Sequence, residues 1–363
     1  MKLIIISLLL IFMGYHLSGE ILFEYTDPAG DDYGAGQVVY PENPMFVEGI
    51  FDITSFKVEQ IDNNYIFRMQ FNGKIDYVEH AEFQYSYHLP DDFLLPLVHI
   101  YIDQDHVFSS GLIETIEGTN VAVEPESAWE RGIVVTSLPG PYRGRLSIRQ
   151  PVLENRIYIP EKIDIAKNKK EISVSVPLQF LGQFSSEWGF VVLVMSHEFS
   201  LSITNSIYIR EVNSTATQFN FGGGEKNILT KEYDPNVIDL LASSRNTQEQ
   251  MLSGYDREKK EFARIFAVYQ PGAKATGTTV QGIVKQVSEE KVIINLGSEA
   301  GIKKKDKIII AGDIIVIAED VFPELTIASF TGVDDWKQVQ QDMPVRLMVE
   351  EQDAMEINDP GDK

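Results

Sequence analysis

The chain has 363 residues, of which 44% are hydrophobic, so it is long enough for two domains and can bury a sizeable core. Its formal net charge of −23 repels phosphate groups, which disfavours nucleic-acid binding and docking on anionic lipid. The absence of cysteine excludes thiol catalysis, disulfides, iron–sulfur clusters, thiolate zinc sites and a lipoprotein anchor.

Residues 1–19 are predicted to form a signal peptide. Lys2 supplies a positive start, and the apolar run from Leu3 to Tyr15 is shorter than the roughly 20 residues that span a bilayer. Cleavage is expected after Ser18 or Gly19, and the sequence leaves an uncleaved anchor open as the alternative. We therefore expect export to the periplasm or the cell surface, with no stable membrane span.

The stretch DPAGDDYGAG, residues 27–36, is a candidate cation-binding loop. Calcium takes about six to eight oxygen ligands, and glycines let a short loop turn sharply and aim its carbonyls inward. The candidate ligands are Asp27, Gly30, Asp31 and Asp32. Asp and Gly are also common turn residues, so an acidic surface turn is the alternative. Adjacent carboxylates repel each other unless a cation or donors lie between them, which favours calcium in a structural role.

The chain from residue 20 to residue 268 has the pattern of an antiparallel β-sandwich. Its segments are rich in β-branched and aromatic residues, and several alternate apolar with polar positions. The predicted strands are YIFRMQF (65–71), FQYSYHL (83–89), LVHIYID (97–103), GIVVTS (132–137), EISVSVPL (171–178), GFVVLVMS (189–196) and SIYIREV (206–212). With no long helix predicted between them, strands of this number and spacing are typical of a sandwich.

Two short helices are predicted near the end of this module. DPNVIDLLA (234–242) offers Asp234 as an N-cap, followed by a proline at the first helical position. NTQEQMLSGYD (246–256) offers Asn246 or Thr247 as the cap of a second helix.

A second, smaller β-domain is predicted after a linker at residues 269–278. Residues 279–350 contain closely spaced short strands, which is typical of a small β-barrel. The predicted strands are TVQGIVKQV, KVIINLG, KIIIAG, DIIVIAEDV, LTIASF and PVRLMVE. Residues 351–363 are predicted to be an acidic tail. The predicted fold class is therefore all-β: a sandwich, two short helices and a small barrel.

The N-terminal part resembles a known family over residues 23–268. The segment from Phe23 to Val58 resembles the opening of the C-terminal binding module of glucodextranase, which also occurs on pullulanases and on cell-surface proteins of thermophiles. The residues that carry the resemblance are Asp27, Pro28, Gly30, Asp31, Asp32, Gly34, Gly36, Tyr40, Pro41, Phe51, Asp52, Thr54 and Phe56. Looser matches lie at HIYIDQD (99–105) and at residues 236–256, and Glu42 departs from the pattern. The resemblance implies a β-sandwich like that of family 9 carbohydrate-binding modules, a role in holding polysaccharide or the cell surface, and calcium at the acidic loop.

Residues 279–349 resemble, more weakly, the C-terminal domain of flagellar assembly proteins of the T type. The segment GIVKQVSEEKVIINLGSEAGIKKKDKIII (282–310) carries this resemblance, with Lys305 where the pattern prefers glycine. It implies a barrel that packs or docks against an envelope protein.

The sequence contains no motif that predicts catalysis. There is no H-E-x-x-H zinc motif, no G-x-S-x-G elbow, no P-loop and no dinucleotide fingerprint. Among 54 acidic residues some close carboxylate pair is inevitable, which keeps a glycosidase as an alternative, but the chain has no room for a large catalytic domain beside the module. We therefore predict that the protein is not an enzyme.

Sugar binding requires exposed aromatic faces with polar groups beside them. The candidate carbohydrate-binding residues are Trp129, Tyr85, Tyr87 and Tyr142, and core packing is the alternative for each of them. Tyr33 and Tyr40 flank the acidic loop and are expected to buttress it.

Two functional hypotheses follow. The first is an exported, non-catalytic protein that binds polysaccharide or cell-wall glycan, is stabilised by calcium and docks to an envelope partner through residues 279–350. The alternative is an envelope or surface-appendage assembly protein that binds partner proteins and no sugar.

Overall fold

The computed structural model describes residues 19–77, 90–198, 207–224, 233–244, 246–271, 273, 281–300, 302–310, 314–332, 335–341 and 343–348. Its first thirteen strands are β1 (Glu20–Thr26), β2 (Ile53–Ile61), β3 (Asn64–Phe71), β4 (Pro96–Asp103), β5 (Val121–Val123), β6 (Arg131–Val135), β7 (Ile157–Tyr158), β8 (Asp164–Ile165), β9 (Glu171–Pro177), β10 (Gly189–Ser196), β11 (Asp239–Leu240), β12 (Ala263–Ile265) and β13 (Val268–Tyr269). The helices are α1 (Pro139–Arg149), α2 (Leu178–Leu181) and α3 (Gln248–Leu252), with short 3-10 turns at Pro125–Ser127, Pro151–Leu153, Ser298–Ala300 and Asp335–Gln338. Within these ranges, none of the helices is both long and apolar enough to cross a membrane.

Two sheets pack face to face and form the sandwich. One has the strand order β1-β2-β3-β9-β8, and the other has the order β11-β10-β4-β6-β7, with β13 also paired to β10. Strand β3 alternates half-buried and buried positions, because Tyr65, Phe67 and the other odd-numbered side chains face inward. Across the interface, the rings of Phe56 on β2 and Phe190 on β10 have centroids 5.3 Å apart. The predicted all-β class and antiparallel sandwich are confirmed.

The second sheet is covered on both faces, which makes this part of the molecule three layers deep. Every residue of β4 and β10 is buried, so these strands read as continuous apolar runs rather than alternating ones. The outer face packs against α1, where Tyr142 and Leu146 lie one turn apart and are both buried. The sequence analysis missed α1, since its glycines, prolines and serine disfavour a helix that tertiary packing nevertheless stabilises.

Near the end of the sandwich, one predicted helix is wrong and the other is confirmed. Residues 234–242 do not form a helix, because Asp239 and Leu240 form β11 and pair with Val194 and Leu193 of β10. The second helix, α3, is capped by Thr247, and its side chain and that of Gln250 form a reciprocal capping box.

The remaining six strands form a separate closed sheet. They are β14 (Gln281–Val287), β15 (Lys291–Ile294), β16 (Lys307–Ile310), β17 (Ile314–Val321), β18 (Thr326–Phe330) and β19 (Pro344–Met348). Their pairing order is β14-β15-β18-β17-β16-β19, and β19 pairs back to β14, so the ring has no free edge. Val284, Ile294, Ile308 and Val316 fill its centre.

The candidate cation site and the predicted sugar contacts

The acidic loop leaves the end of β1 and turns back toward β2. The backbone amide of Asp27 donates to Thr54 of β2 at 3.0 Å, which anchors the start of the loop. Gly34 has a φ of 59°, and a Cβ at this position would lie 2.6 Å from a side-chain carbon of Val38. Its backbone amide donates to the carbonyl of Ile238 at 2.8 Å. Glycine at this position therefore lets the loop approach the segment that contains β11.

This approach brings the carboxylate of Asp239, which is distant in the sequence, to two carboxylates of the loop. Asp27, Asp31 and Asp239 each place one carboxylate oxygen within 4.8 Å of the others. Asp52 is fully buried, its Oδ2 accepts a hydrogen bond from the loop amide of Gly30, and its Oδ1 has no donor, so we group it with the three. We call these four residues the Asp27 cluster.

Backbone amides donate hydrogen bonds to three of these carboxylates. Asp27 Oδ1 accepts a bond from the amide of Ala242 at 3.0 Å, and Asp52 Oδ2 accepts one from the amide of Gly30 at 2.6 Å. Asp239 Oδ2 accepts a bond from the amide of Ile53 at 2.6 Å. These bonds fix the orientation of the carboxylates without using all of their acceptor capacity.

Three oxygens of the cluster are buried without a hydrogen-bond donor. They are Asp27 Oδ2, Asp31 Oδ1 and Asp52 Oδ1. Buried polar atoms are nearly always paired, and an unpaired one costs about 1–3 kcal/mol. Oxygen-only, acidic and partly pre-oriented ligands are those that a hard divalent cation such as calcium prefers. The residues present therefore fit a calcium ion.

Burial and mutual repulsion also disfavour the ionisation of all four carboxylates of the Asp27 cluster. Burial, together with the charges of the neighbouring carboxylates, raises the pKa of Asp27 to about 7 and that of Asp31 to about 6. Burial, followed by the charges of Asp31 and Asp27, raises the pKa of Asp239 well above its ordinary range. A bound cation would reverse this effect, because it stabilises the ionised carboxylates.

The sequence analysis identified half of this cluster. It named Asp27 and Asp31, and the structure brings them together. Asp32 was also named, but it lies outside the three-carboxylate group, and its Oδ2 accepts a short hydrogen bond from the hydroxyl of Tyr40. Tyr40 thus buttresses the loop as expected. Gly30 contributes its backbone amide, which orients Asp52.

Asp52 and Asp239 were missed as ligands, although both lie in segments that carried the family resemblance. Asp52 follows Phe51 in the N-terminal motif, and Asp239 begins the sequence DLL. Local pattern placed Asp239 on a helix, and only the pairing of β11 with β10 brings its carboxylate to the loop.

A second acidic group lies at the end of β4. Asp103, Asp105 and Glu130, which we call the Asp103 cluster, also place one carboxylate oxygen each within 4.8 Å of the others. Asp103 Oδ1 accepts bonds from the amides of Asp105 and His106, and its Oδ2 accepts one from the hydroxyl of Tyr269 at 2.6 Å. None of the carboxylate oxygens in this cluster is among the buried atoms without a partner.

Glu130 of the Asp103 cluster also receives protein donors on both oxygens. Its Oε2 accepts a bond from the amide of Gln104 at 2.7 Å, and its Oε1 accepts one from the hydroxyl of Ser110 at 3.0 Å. Burial raises the pKa of Asp103 to about 7 and that of Glu130 to about 8.

Two of the predicted carbohydrate-binding residues are corrected by the structure. Trp129 is fully buried and donates its indole N–H to the carbonyl of Glu114 at 3.0 Å. Tyr142 is fully buried on α1, with its hydroxyl oxygen 2.7 Å from Nε2 of His99. Neither ring has a free face, because both fill the layer that covers the second sheet. The other two candidates, Tyr85 and Tyr87, lie outside the described residues.

The two packed sheets and the core between them define a β-sandwich module. A family model for the C-terminal, SLH-like binding module of glucodextranase matches residues 22–267. The chain belongs to this family, as the sequence resemblance indicated. No curated protein gives a significant match to the chain.

Proposed function

We propose that this protein is an exported, non-catalytic module that binds carbohydrate at a cell surface. The observation that carries the proposal is the family membership over residues 22–267, which covers the whole sandwich. The family model describes a binding module and no catalytic domain. The strong negative charge supports a neutral polysaccharide over a phosphate-rich polymer, since like charges repel.

Electrophoresis in gels that contain a soluble polysaccharide tests this proposal. We expect the protein to be retarded by at least one of dextran, pullulan or laminarin, or to sediment with insoluble peptidoglycan. A non-binding protein of similar charge and mass serves as the mobility control. Unchanged mobility in all three gels, together with no sedimentation, would favour the assembly protein that binds no sugar.

Calcium at the Asp27 cluster is the second part of the proposal, and its role is structural. Asp27, Asp31, Asp52 and Asp239 would hold the ion, which supplies positive charge to oxygens that have no protein donor. These residues come from the loop, the start of β2 and β11, so a shared ion ties the beginning of the module to its end. Calorimetric titration of metal-stripped protein with calcium chloride should show a single saturable site. No heat of binding at millimolar calcium would remove this part of the proposal.

The ring formed by β14–β19 is proposed to contact an envelope protein. Support comes from the resemblance of residues 279–349 to a flagellar assembly domain and from a closed sheet that leaves its outer face for other contacts. Cross-linking in whole cells through a photoreactive residue at exposed Phe322 should trap a protein partner, and the same residue placed at Ile21 of the sandwich is the control.

A further inference from the structure

The surface beside the Asp27 cluster carries an exposed aromatic ring. Tyr33 is 39% exposed, although the sequence analysis expected it to buttress the loop. Val47 is 55% exposed, and its neighbour Glu48 has a carboxylate oxygen 3.5 Å from the hydroxyl of Tyr33. An aromatic ring and a carboxylate therefore lie together at the surface, and the next residue in the chain from that carboxylate is an exposed aliphatic one.

The backbone of Tyr33 is held by four hydrogen bonds. Its amide donates to the carbonyl of Asp31 at 2.7 Å, and its carbonyl accepts from the amides of Gly36, Gln37 and Val38 at 2.9 to 3.1 Å. Asp31 is itself part of the Asp27 cluster. A backbone fixed in this way loses little conformational entropy when a ligand binds, which favours a binding role for the side chain that it carries.

The polar groups around this ring indicate the chemistry of the ligand. The Tyr33–Glu48 contact is at the long limit of a hydrogen bond, so the Glu48 carboxylate keeps capacity to accept from another donor. The Glu249 carboxylate lies against Gly36, where a Cβ would be 3.2 Å from it. Carboxylates at the ring and on its loop repel anionic ligands and accept hydrogen bonds from neutral hydroxyl groups.

We propose that Tyr33, Val47 and Glu48 form a contact site for a neutral glycan. The ring of Tyr33 stacks on a sugar face, Val47 extends the apolar surface, and Glu48 accepts a hydrogen bond from a sugar hydroxyl. This assignment rests on the proposed carbohydrate-binding function and names the surface that performs it.

The test compares two exposed aromatic residues by electrophoresis in gels that contain dextran, pullulan or laminarin. In the full chain, Tyr33→Ala should weaken the apparent affinity for the retarding glucan about tenfold. Tyr33→Phe should lose less than threefold, because it keeps the stacking face. The control is Phe262→Ala, since Phe262 is 40% exposed and its ring packs on Tyr233; its affinity should equal that of the unmodified chain. Thermal melting of each variant shows whether the fold is retained.

The outcomes separate this assignment from the proposed function. Retardation that is equal in Tyr33→Ala and the unmodified chain would overturn the assignment and leave glycan binding in place. Loss of retardation in Phe262→Ala alone would overturn the assignment and place the glycan contact at Phe262. Sedimentation with peptidoglycan but no retardation in any neutral glucan would overturn the assignment of a neutral glycan as the ligand. No binding to any of these polysaccharides would overturn both.

Discussion

The Asp27 and Asp103 clusters both consist of acidic side chains, but they differ in how many of their buried carboxylate oxygens receive a hydrogen bond from the protein. Each brings three carboxylate oxygens within 4.8 Å of one another in a buried or half-buried place. The Asp103 cluster receives N–H and O–H donors from its own loop and from Tyr269. The Asp27 cluster leaves three buried oxygens without donors.

The comparison shows that proximity of carboxylates does not by itself define a metal site. In the Asp103 cluster, the protein supplies the hydrogens that stabilise the acidic groups. In the Asp27 cluster, three buried carboxylate oxygens have no protein donor, and a cation can supply positive charge to them instead.

The largest expected difference between the clusters is their response to calcium. At calcium concentrations about 100 times Kd, the free energy of unfolding of the unmodified chain should rise by about 2.7 kcal/mol over its value in chelator. Asp31→Asn should abolish this increment, because it removes a ligand charge from the Asp27 cluster. Chemical denaturation with and without chelator measures the increment.

Asp105→Asn is the matched control for this experiment, since it makes the same chemical change in the Asp103 cluster. It should keep the full calcium increment. If Asp31→Asn and Asp105→Asn lost equal parts of the increment, the distinction drawn between the clusters would be wrong.

The next largest effect is the loss of stability expected when the hydroxyl group of one of two matched tyrosines is removed. Tyr40 donates to Asp32 beside one cluster, and Tyr269 donates to Asp103 in the other. Tyr40→Phe and Tyr269→Phe should each lower the free energy of unfolding by about 1.5–3 kcal/mol, since each removes the hydroxyl donor to one oxygen of a buried carboxylate. Urea denaturation of both variants measures this loss.

Adding calcium to the same two variants tests whether Asp32 or Asp103 takes part in calcium binding. Both should keep the calcium increment, because Asp32 lies outside the three-carboxylate group and Asp103 belongs to the other cluster. A missing increment in Tyr40→Phe would instead place Asp32 among the ligands.

The smallest expected effect is a pH dependence in the Asp103 cluster. Burial raises the pKa of Glu130 to about 8 in the folded chain, so the folded state keeps a proton that the unfolded state releases at lower pH. Stability due to this group is therefore present at low pH and is lost as the pH rises through the window from about 4.5 to about 8. Glu130→Gln removes this loss, and its stability relative to the unmodified chain should be about 1 kcal/mol better at about pH 6 than at about pH 5.

Denaturation in chelator at both pH values measures this difference. A relative stability of Glu130→Gln that did not change with pH would contradict the raised pKa. Asp103 has a pKa shift of the same sign and remains in the variant, so part of the pH dependence should persist.

Much of the fold was predictable because it follows from local periodicity. The alternation in residues 64–71 predicted a strand with one buried face, and β3 has that form. The Thr247 cap predicted α3 from a few adjacent residues. Local pattern failed at residues 234–242, where a good cap and a proline favoured a helix, but pairing with β10 stabilises the short strand β11.

The candidate site was predictable only in part. Asp27 and Asp31 stood out because they lie in one glycine-rich loop, whereas Asp239 lies more than two hundred residues further along the chain. Trp129 and Tyr142 were chosen for their chemistry, but a third layer on the second sheet buries both. Tyr33 has the same kind of ring and remains exposed.

The sequence by itself determined the all-β class, the position of the acidic loop and the family, because these depend on residue types at short, fixed spacings. The tertiary structure decided which carboxylates meet, which of their oxygens lack a donor and which aromatic rings face solvent. These properties depend on strand pairing and layer packing between distant segments, which local spacing does not encode.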